Sequence, residues 1–153
     1  MLRKAVSQDL PGVLRCLHEA FEPYRKDYTP AAFLDTVLTP GTLQTRFHGM
    51  SIFVAADLDG EIIGTIACNR PSVDERHIRG MAVLPAWHGH DIAQNLLNAA
   101  EAELRTSDCR RVTLDTTKPL ERAIAFYLRN KFRATGVVTD FFGMPLYEYE
   151  KDL

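Results

Sequence analysis

Residues 75–116 constrain the fold more than any other segment, because they place a strand, a short turn, a helix and a second strand in direct succession. ERHIRGMAVLP, residues 75–85, predicts a strand that Pro85 ends, and RRVTLDT, residues 110–116, predicts the returning strand. Between them, apolar residues recur at helical spacing from Asp91 onward: Ile92, Leu96, Leu97, Ala100 and Leu104. This order forms a β-α-β unit, so two parallel strands are expected within the sheet.

The first third of the chain predicts one strand and two helices. LRKAV, residues 2–6, predicts a short strand, and Ser7 is expected to cap a helix that carries Pro11 in its first turn. A second helix is expected to begin at Pro30 and to end before Pro40, because proline interrupts helices.

The remaining segments predict hairpins and one further helix. SIFVAADLDGEIIGTIAC, residues 51–68, has two strand-like runs around a turn-forming Asp-Gly pair. PLERAIAFYLRN, residues 119–130, predicts a helix, and residues 131–140 and 145–153 predict a closing pair of strands. The chain therefore predicts a single domain, residues 1–153, of the α/β class (α+β mixed). Its core is expected to be a central mixed, mostly antiparallel twisted sheet of about six to seven strands with helices on both faces.

Composition and charge exclude several kinds of partner. Hydrophobic residues make up 46% of the chain and charged residues 25%, with a net charge of −2. The chain can therefore bury a core, and it has no basic surface for nucleic acid. No stretch approaches the ~20 apolar residues that span a bilayer, and the charged N-terminus is unlike a secretion signal. The three cysteines lack metal-ligand spacing, so we expect a reduced, cytoplasmic protein with no metal, no nucleic acid partner and no membrane partner.

AWHGHD, residues 86–91, lies between the predicted strand and helix, where a bound anion is expected. The first N–H groups of a helix have no partner within the helix, and the partial positive charge there attracts phosphate. Gly89 allows a ligand to approach closely, and His88 and His90 add hydrogen-bonding side chains. The turn does not match the GxGxxG pattern of Rossmann dinucleotide-binding sites or the GxxxxGK[ST] pattern of P-loops, so neither of these two phosphate-binding motifs is indicated. The alternative is that Asp91 is an ordinary helix cap with no ligand.

Taken in order, these pieces resemble the GNAT superfamily of acyl-CoA-dependent N-acyltransferases. The resemblance covers nearly the whole chain and is carried by KAVSQDLPGVLRCLHEAF, LDGEIIGTIAC, MAVLPAWHGHDIAQNLLNAAEAEL and LDTTKPLERAIAFYLRNKF. It implies a GNAT-like sheet, acetyl-CoA as the cosubstrate and no metal.

The resemblance also implies that six consecutive positions hold the CoA pyrophosphate through backbone N–H groups: His88, Gly89, His90, Asp91, Ile92 and Ala93. His88 departs from the Arg or Gln of the family pattern, and Asp91 departs from a Gly. Two charges ~5 Å apart repel by about 1 kcal/mol in water and more in a protein. We therefore expect Asp91 to point away, to pair with one of the two histidines, or to weaken CoA binding. The backbone of Met81, Ala82 and Val83 is implied to pair with the pantetheine arm and to polarise the thioester carbonyl.

The catalytic residues are also implied by the resemblance. Tyr127 is the general acid toward the departing CoA thiolate; the alternative is an ordinary core tyrosine. His77 stands where many relatives carry a glutamate base, and Glu75 shares its strand face. Either residue, or the pair, is the general base, unless both lie on an exposed strand end. Because Lys131 replaces a frequent glycine, Asn130 is expected to take the left-handed conformation that ends the helix.

The implied function is an N-acetyltransferase in which a primary amine attacks acetyl-CoA directly. The acceptor is a small-molecule or peptide amine, and a homodimer is left open. The alternative is a non-catalytic acyl-CoA-binding or interaction domain on the same fold, favoured by His88, Asp91 and by Leu120, where the family often has Asn. Two variable segments, rich in acidic and aromatic residues, are expected to form a pocket for a cationic amine with an apolar body. Their candidate residues are Glu22, Tyr24, Asp27, Tyr28, Phe33, Asp140, Phe141, Phe142 and Met144.

Overall fold

The computed structural model describes residues 1–70, 76–108 and 110–153. In these residues there are seven strands: β1 (Leu2–Lys4), β2 (Met50–Ala56), β3 (Ile62–Asn69), β4 (His77–Val83), β5 (Arg111–Thr116), β6 (Arg133–Phe141) and β7 (Met144–Asp152). The same residues form five α-helices: α1 (Leu10–Phe21), α2 (Pro30–Val37), α3 (Pro40–Gly49), α4 (Ile92–Arg105) and α5 (Glu121–Arg129). The strand order in the sheet is β1-β2-β3-β4-β5-β7-β6.

The expected fold class is confirmed. Among the strand pairs of the described residues only β4 and β5 run parallel, and every other pair is antiparallel. The parallel pair is the one that the β-α-β unit around α4 requires. No helix in the three described ranges combines the length and the apolar character needed to cross a membrane.

Alternate residues of the strands face two separate cores. Ile52 and Val54 of β2 are buried with α1 and α3 on one face of the sheet. Phe53 is buried on the other face, against α4 and against Tyr127 of α5. The period of two along β2 thus places helices on both faces of the sheet, as expected.

The start of the first helix differs from the expectation. Ser7 does not cap it: residues Ser7–Asp9 form a single 3-10 turn, and α1 begins at Leu10. The Asp9 carboxylate accepts the Val6 N–H at 2.8 Å and pairs with Arg3 at 2.6 Å, and this pairing holds the pKa of Asp9 below its ordinary value. Asp9, rather than Ser7, therefore stabilises the turn that precedes α1.

Pro40 does not simply end a helix, because it also begins another. Leu38 adopts a left-handed conformation, with φ 68°, and reverses the chain after α2. Thr39 then caps α3: its hydroxyl accepts the Thr42 N–H at 3.1 Å, and the Thr42 hydroxyl accepts the Thr39 N–H at 2.8 Å. Pro40 occupies the first position of α3, where its missing N–H costs nothing. The sequence reading missed this helix.

Strands β4 and β5 separate after a short contact. In the described residues they pair only through His77 with Thr113 and Ile78 with Leu114. Beyond that point the register of β4 against β3 shifts by one residue, and Gly80 there has φ 63°. This conformation is costly for a residue with a side chain, so a glycine at the bulge lets β4 bend away from β5. The result is an open gap beside residues 79–83.

Candidate active site

A cavity of about 660 Å³ occupies the gap between β4 and β5. Its wall includes β4, the turn after it, the start of α4, the end of β5 and α5. Some residues between 20 and 36 and Arg46 contribute a further part of the wall, and Phe141 and Leu146 line it near the last hairpin. All the residues expected at the cofactor site line this cavity except His90.

The turn end of the cavity presents backbone donors. Asn95 donates the first helical hydrogen bond of α4, to the Asp91 carbonyl at 3.0 Å. The N–H groups of Ile92, Ala93 and Gln94 have no acceptor in the described part of the chain. Three unpartnered donors at a helix N-terminus form a site that suits a phosphate.

Asp91 stands at a left-handed position, with φ 62° and ψ 11°. Aspartate is one of the few residues besides glycine that adopt this conformation. Its side chain is exposed at the cavity mouth, caps no helical N–H and has no hydrogen bond or ion pair to a described residue. Asp91 is therefore the N-cap residue of α4 by position, as the alternative interpretation expected, but its side chain caps no N–H group. The pairing of Asp91 with a neighbouring histidine is wrong.

The two histidines of the turn have other partners. His88 Nε2 lies 3.2 Å from the Val83 carbonyl oxygen and donates to it. The His90 ring packs against Trp87 with a centroid distance of 5.5 Å. His88 thus braces the turn against the end of β4, whereas His90 faces away from the cavity.

Tyr127 is buried at the cavity wall between α5 and β4. Its ring packs edge-to-face against Phe126 and Phe132, and its hydroxyl contacts the Met81 Sδ at 3.9 Å. Burial raises the pKa of Tyr127 well above its ordinary value, because desolvation disfavours the phenolate. The side chain is therefore a protonated donor that already faces a sulfur atom.

His77 lies at the start of β4 within a polar group that the sequence did not reveal. Its Nδ1 is 2.7 Å from the Thr113 hydroxyl, and its Nε2 is 3.3 Å from Asp115 Oδ2. Because a carboxylate only accepts, Nε2 carries a proton. Glu75, the other candidate base, lies outside the described residues.

The Thr113 hydroxyl lets His77 exist in two protonation states. In neutral His77 the hydroxyl donates to Nδ1. In the protonated ring Nδ1–H donates to the hydroxyl, which then donates to the Arg76 carbonyl at 3.3 Å. The ring can gain a proton without leaving a hydrogen bond unsatisfied.

Two threonines at the end of β5 also line the cavity. Thr116 is buried, and its hydroxyl has no hydrogen-bond partner in the part of the chain that is described. Thr117 forms a 2.7 Å hydrogen bond with the Tyr28 hydroxyl. A buried hydroxyl without a partner is costly unless a ligand supplies one, so Thr116 is a candidate ligand contact.

The helix that carries Tyr127 ends differently from the expectation. Asn130 has φ −94°, whereas Lys131 has φ 74° and takes the left-handed position. The expectation that Asn130 would replace the family's glycine is wrong. Asn130 instead donates through its side-chain amide to the Phe126 carbonyl at 3.0 Å.

The variable segments line the cavity only in part. From the expected set, Tyr24, Tyr28 and Phe141 lie in its wall. Glu22 pairs with Arg25 at 2.9 Å on the surface, and Phe33 is buried under that arginine. Besides Asp91, the cavity is lined by six charged residues that the sequence did not indicate: Asp35, Arg46, Arg79, Asp115, Arg122 and Arg129.

The described cysteines are buried thiols. Burial raises the pKa of Cys16 and that of Cys68 to about 12, so neither forms a thiolate readily. Cys109 lies outside the described residues. Within the ranges that are described, no group of three or more His, Cys, Asp or Glu side chains could hold a metal ion.

The chain resembles known proteins in sequence family and in fold. Residues 13–132 match the acetyltransferase (GNAT) family. The structure is similar to a GNAT-family acetyltransferase from Staphylococcus aureus Mu50, with 16% identity, a TM-score of 0.80, and coverage of 100% of this chain and 98% of that one.

Two similar structures contain coenzyme A. The PaiA N-acetyltransferase from Thermoplasma acidophilum in complex with coenzyme A has a TM-score of 0.83 and 18% identity, over 100% of this chain and 98% of that one. An aminoglycoside 6'-N-acetyltransferase complexed with coenzyme A has a TM-score of 0.75 and 14% identity, over 99% and 96%. A search of curated proteins found no match.

Proposed function

The chain belongs to the acetyltransferase (GNAT) family, and from that premise we propose that it transfers an acetyl group from acetyl-CoA to a primary amine. The observation that carries the proposal is the open side of β4, which leads from the buried Tyr127 hydroxyl to the unpartnered N–H groups of α4. Two proteins of similar fold bind coenzyme A.

The turn after β4 holds the pyrophosphate in this proposal. The donors belong to the backbone of residues 88–93: the His88 N–H already donates to the Pro85 carbonyl at 3.2 Å, whereas those of Ile92 and Ala93 have no acceptor in the described chain. Because these donors belong to the backbone, the departures at His88 and Asp91 leave them in place. Asp91 adds a negative charge at the cavity mouth, which weakens binding without blocking it.

The exposed edge of β4 holds the rest of the cosubstrate. Acetyl-CoA supplies the activated acetyl group as a thioester. Residues 79–83 have no partner strand on the β5 side, so the backbone of Met81, Ala82 and Val83 is available to pair with an extended arm. An N–H of the same run polarises the thioester carbonyl as the amine attacks.

Tyr127 acts as the general acid. Its raised pKa keeps the hydroxyl protonated, and the hydroxyl faces the gap beside Met81. It donates its proton to the sulfur that leaves, and solvent then restores the phenol.

His77 acts as the general base, assisted by Asp115. An amine acceptor arrives as an ammonium ion and must lose a proton before it attacks. Water carries that proton to the Thr113 hydroxyl, which passes its own proton to Nδ1 of His77, while Nε2–H keeps its contact with Asp115. Both nitrogens of the charged ring then have partners. Glu75 remains a prediction for the same role.

In this proposal the enzyme is a single domain, residues 1–153. It acts in the cytoplasm on a small-molecule or peptide amine. The free thiols of Cys16 and Cys68 support a reducing compartment.

Release of free CoA thiol from acetyl-CoA in the presence of a panel of amines tests the function. We expect acetylation of at least one amine at a rate well above the rate with acetyl-CoA alone. Binding of CoA, seen as a raised melting temperature, without turnover on any amine would contradict the proposal and would favour a non-catalytic acyl-CoA-binding domain.

A further inference from the structure

Arg46 of α3 extends over the bulge of β4. Its Nη1 lies 2.6 Å from the position that a Cβ on Gly80 would occupy. The absence of a side chain at Gly80 therefore makes the space that the guanidinium fills, and from there it lines the cavity. Asp35 and Thr36 of α2 line the same part of the wall.

The Arg46 guanidinium has no partner among the described residues. Several arginines of the described residues pair with acids, such as Arg3 with Asp9 at 2.6 Å and Arg111 with Glu150 at 2.6 Å. Among the arginines that line the cavity, Arg46 is the one whose pKa is lowered by desolvation. Arg46 has no hydrogen bond or ion pair within the described ranges, and Asp35 lies beyond ion-pair distance. Desolvation, and to a lesser extent repulsion by Arg79, lower the pKa of Arg46 to about 10. Burying a cation without a partner costs folding free energy, unless a ligand supplies the hydrogen bonds and the opposite charge.

The location of Arg46 determines which ligand reaches it. Gly80 directly precedes Met81, whose Sδ contacts the Tyr127 hydroxyl at 3.9 Å, and neighbouring Cα atoms are about 3.8 Å apart. α3 packs on the opposite face of the sheet from α5, so the guanidinium approaches the gap from the face that α1 and α3 cover, opposite Tyr127. The unpartnered donors of α4 lie beyond the end of β4, ~10 Å further along the strand. A CoA phosphate held by those donors does not reach Arg46.

We propose that Arg46 binds a carboxylate of the acceptor, so that the acceptor class is a small amine with a carboxylate only a few bonds from the amine, as in an amino acid. This inference rests on the proposed function. A planar guanidinium suits a carboxylate because it donates two parallel hydrogen bonds. Phe21, Tyr24 and Phe141 in the same wall contact the apolar part of the acceptor.

The test compares matched acceptors on wild-type protein, Arg46→Gln and Arg46→Lys. Each amino acid of a panel is paired with its carboxamide and with the amine that lacks the carboxyl group. For wild type we expect kcat/KM for at least one amino acid to exceed that for its carboxamide by about tenfold to a hundredfold, the usual range for a charge-assisted contact. Arg46→Gln should remove that preference, mainly through KM. Arg46→Lys should restore part of the preference.

Arg15→Gln is the matched control, because Arg15 pairs with Glu61 at 3.3 Å and does not line the cavity. It should keep the preference of wild type. Equal activity on amino acids and carboxamides in wild type, or an unchanged preference in Arg46→Gln, would overturn the inference while leaving the acetyltransferase function intact.

A binding measurement keeps the two proposals distinguishable. With CoA present, N-acetylated amino acids should raise the melting temperature of wild type more than their carboxamides do, and Arg46→Gln should abolish the difference. If no amine is turned over but this difference persists, the carboxylate site stands and the acetyltransferase proposal fails. If the difference is absent in wild type, the carboxylate site is refuted.

Discussion

The two ends of the cavity are built from different parts of the chain. At the turn end, backbone N–H groups of consecutive residues, such as Ile92 and Ala93, are exposed by the start of one helix. At the acceptor end, the groups are side chains from separate segments, namely Arg46 of α3, His77 of β4 and Asp115 of β5. A backbone site tolerates substitution, whereas a side-chain site changes chemistry with each substitution.

Under the proposed function, this difference allows the family pattern to be imperfect at the turn end while the backbone donors stay in place. His88 and Asp91 replace the usual residues of the turn, yet the donors of α4 remain unpartnered. At the acceptor end a single residue such as Arg46 sets which molecules fit. Substitutions of catalytic side chains should therefore cost far more activity than substitutions in the turn.

The largest expected effect belongs to Tyr127. Tyr127→Phe removes the acid that protonates the leaving thiolate and should lower kcat by about a hundredfold or more, with CoA affinity unchanged. Thiol release and CoA titration measure the two quantities. Tyr149→Phe, outside the cavity wall, is the control and should keep its activity. An unaltered kcat in Tyr127→Phe would show that Tyr127 is an ordinary core residue.

His77→Gln should lower kcat/KM by about tenfold to a hundredfold near neutral pH, because the acceptor loses its base. The loss should shrink as pH rises, since a growing fraction of the amine is then already deprotonated. A pH profile of kcat/KM measures this. His48→Gln is the control: His48 is exposed on α3 and contacts Gln44. A loss in His77→Gln that is equal at all pH values would indicate a structural role.

Asp91→Gly should have a smaller and opposite effect. It removes a charge of the same sign as the pyrophosphate and should tighten CoA binding severalfold, in line with ~1 kcal/mol of repulsion. The substitution also relieves the cost of a left-handed residue, about 1 kcal/mol. Asp108→Gly is the control that separates the charge effect from the backbone effect. Asp108 also has a positive φ, 58°, but it does not line the cavity.

Both aspartate variants should raise the melting temperature, but only Asp91→Gly should change CoA affinity. The affinity gain should decrease with added salt. Weaker CoA binding in Asp91→Gly would mean that the carboxylate stabilises the turn. It would contradict the statement that the turn end depends on backbone groups and tolerates substitution.

The smallest expected effect is an absence of change. In the proposed mechanism Tyr127 acts in its protonated form, which persists below its pKa, and burial raises that pKa. kcat should therefore not fall as pH rises through about 10, the ordinary tyrosine value. A decline in kcat with a midpoint below about pH 10, present in wild type and absent in Tyr127→Phe, would contradict this.

The sequence predicted the turn end better than the acceptor end for a physical reason. Residues 75–104 form a strand, turn and helix that are local in the chain, so periodicity and the final proline locate them. The sequence correctly located Asp91 at the start of α4. It did not predict the left-handed backbone of Asp91, because aspartate is also common at helix caps of ordinary conformation. Lys131 was missed in the same way, because lysine carries no signal for a left-handed position.

The acceptor end depends on contacts between distant segments. The meeting of His77 with Asp115, and of Arg46 with Gly80, follows from strand pairing and helix packing that no local pattern encodes. The extra helix α3 that carries Arg46 was itself missed, since Pro40 both follows one helix and begins the next. The gap between β4 and β5 likewise depends on the bulge at Gly80.

The most direct test of the central claim is amide hydrogen exchange of the turn with and without CoA. If the backbone holds the pyrophosphate, CoA should slow exchange at Ile92, Ala93 and Gln94, whose N–H groups have no acceptor among the described residues of the free protein. The same measurement on Asp91→Gly should show equal or greater slowing. Exchange at these three amides that is unchanged by saturating CoA would contradict the account.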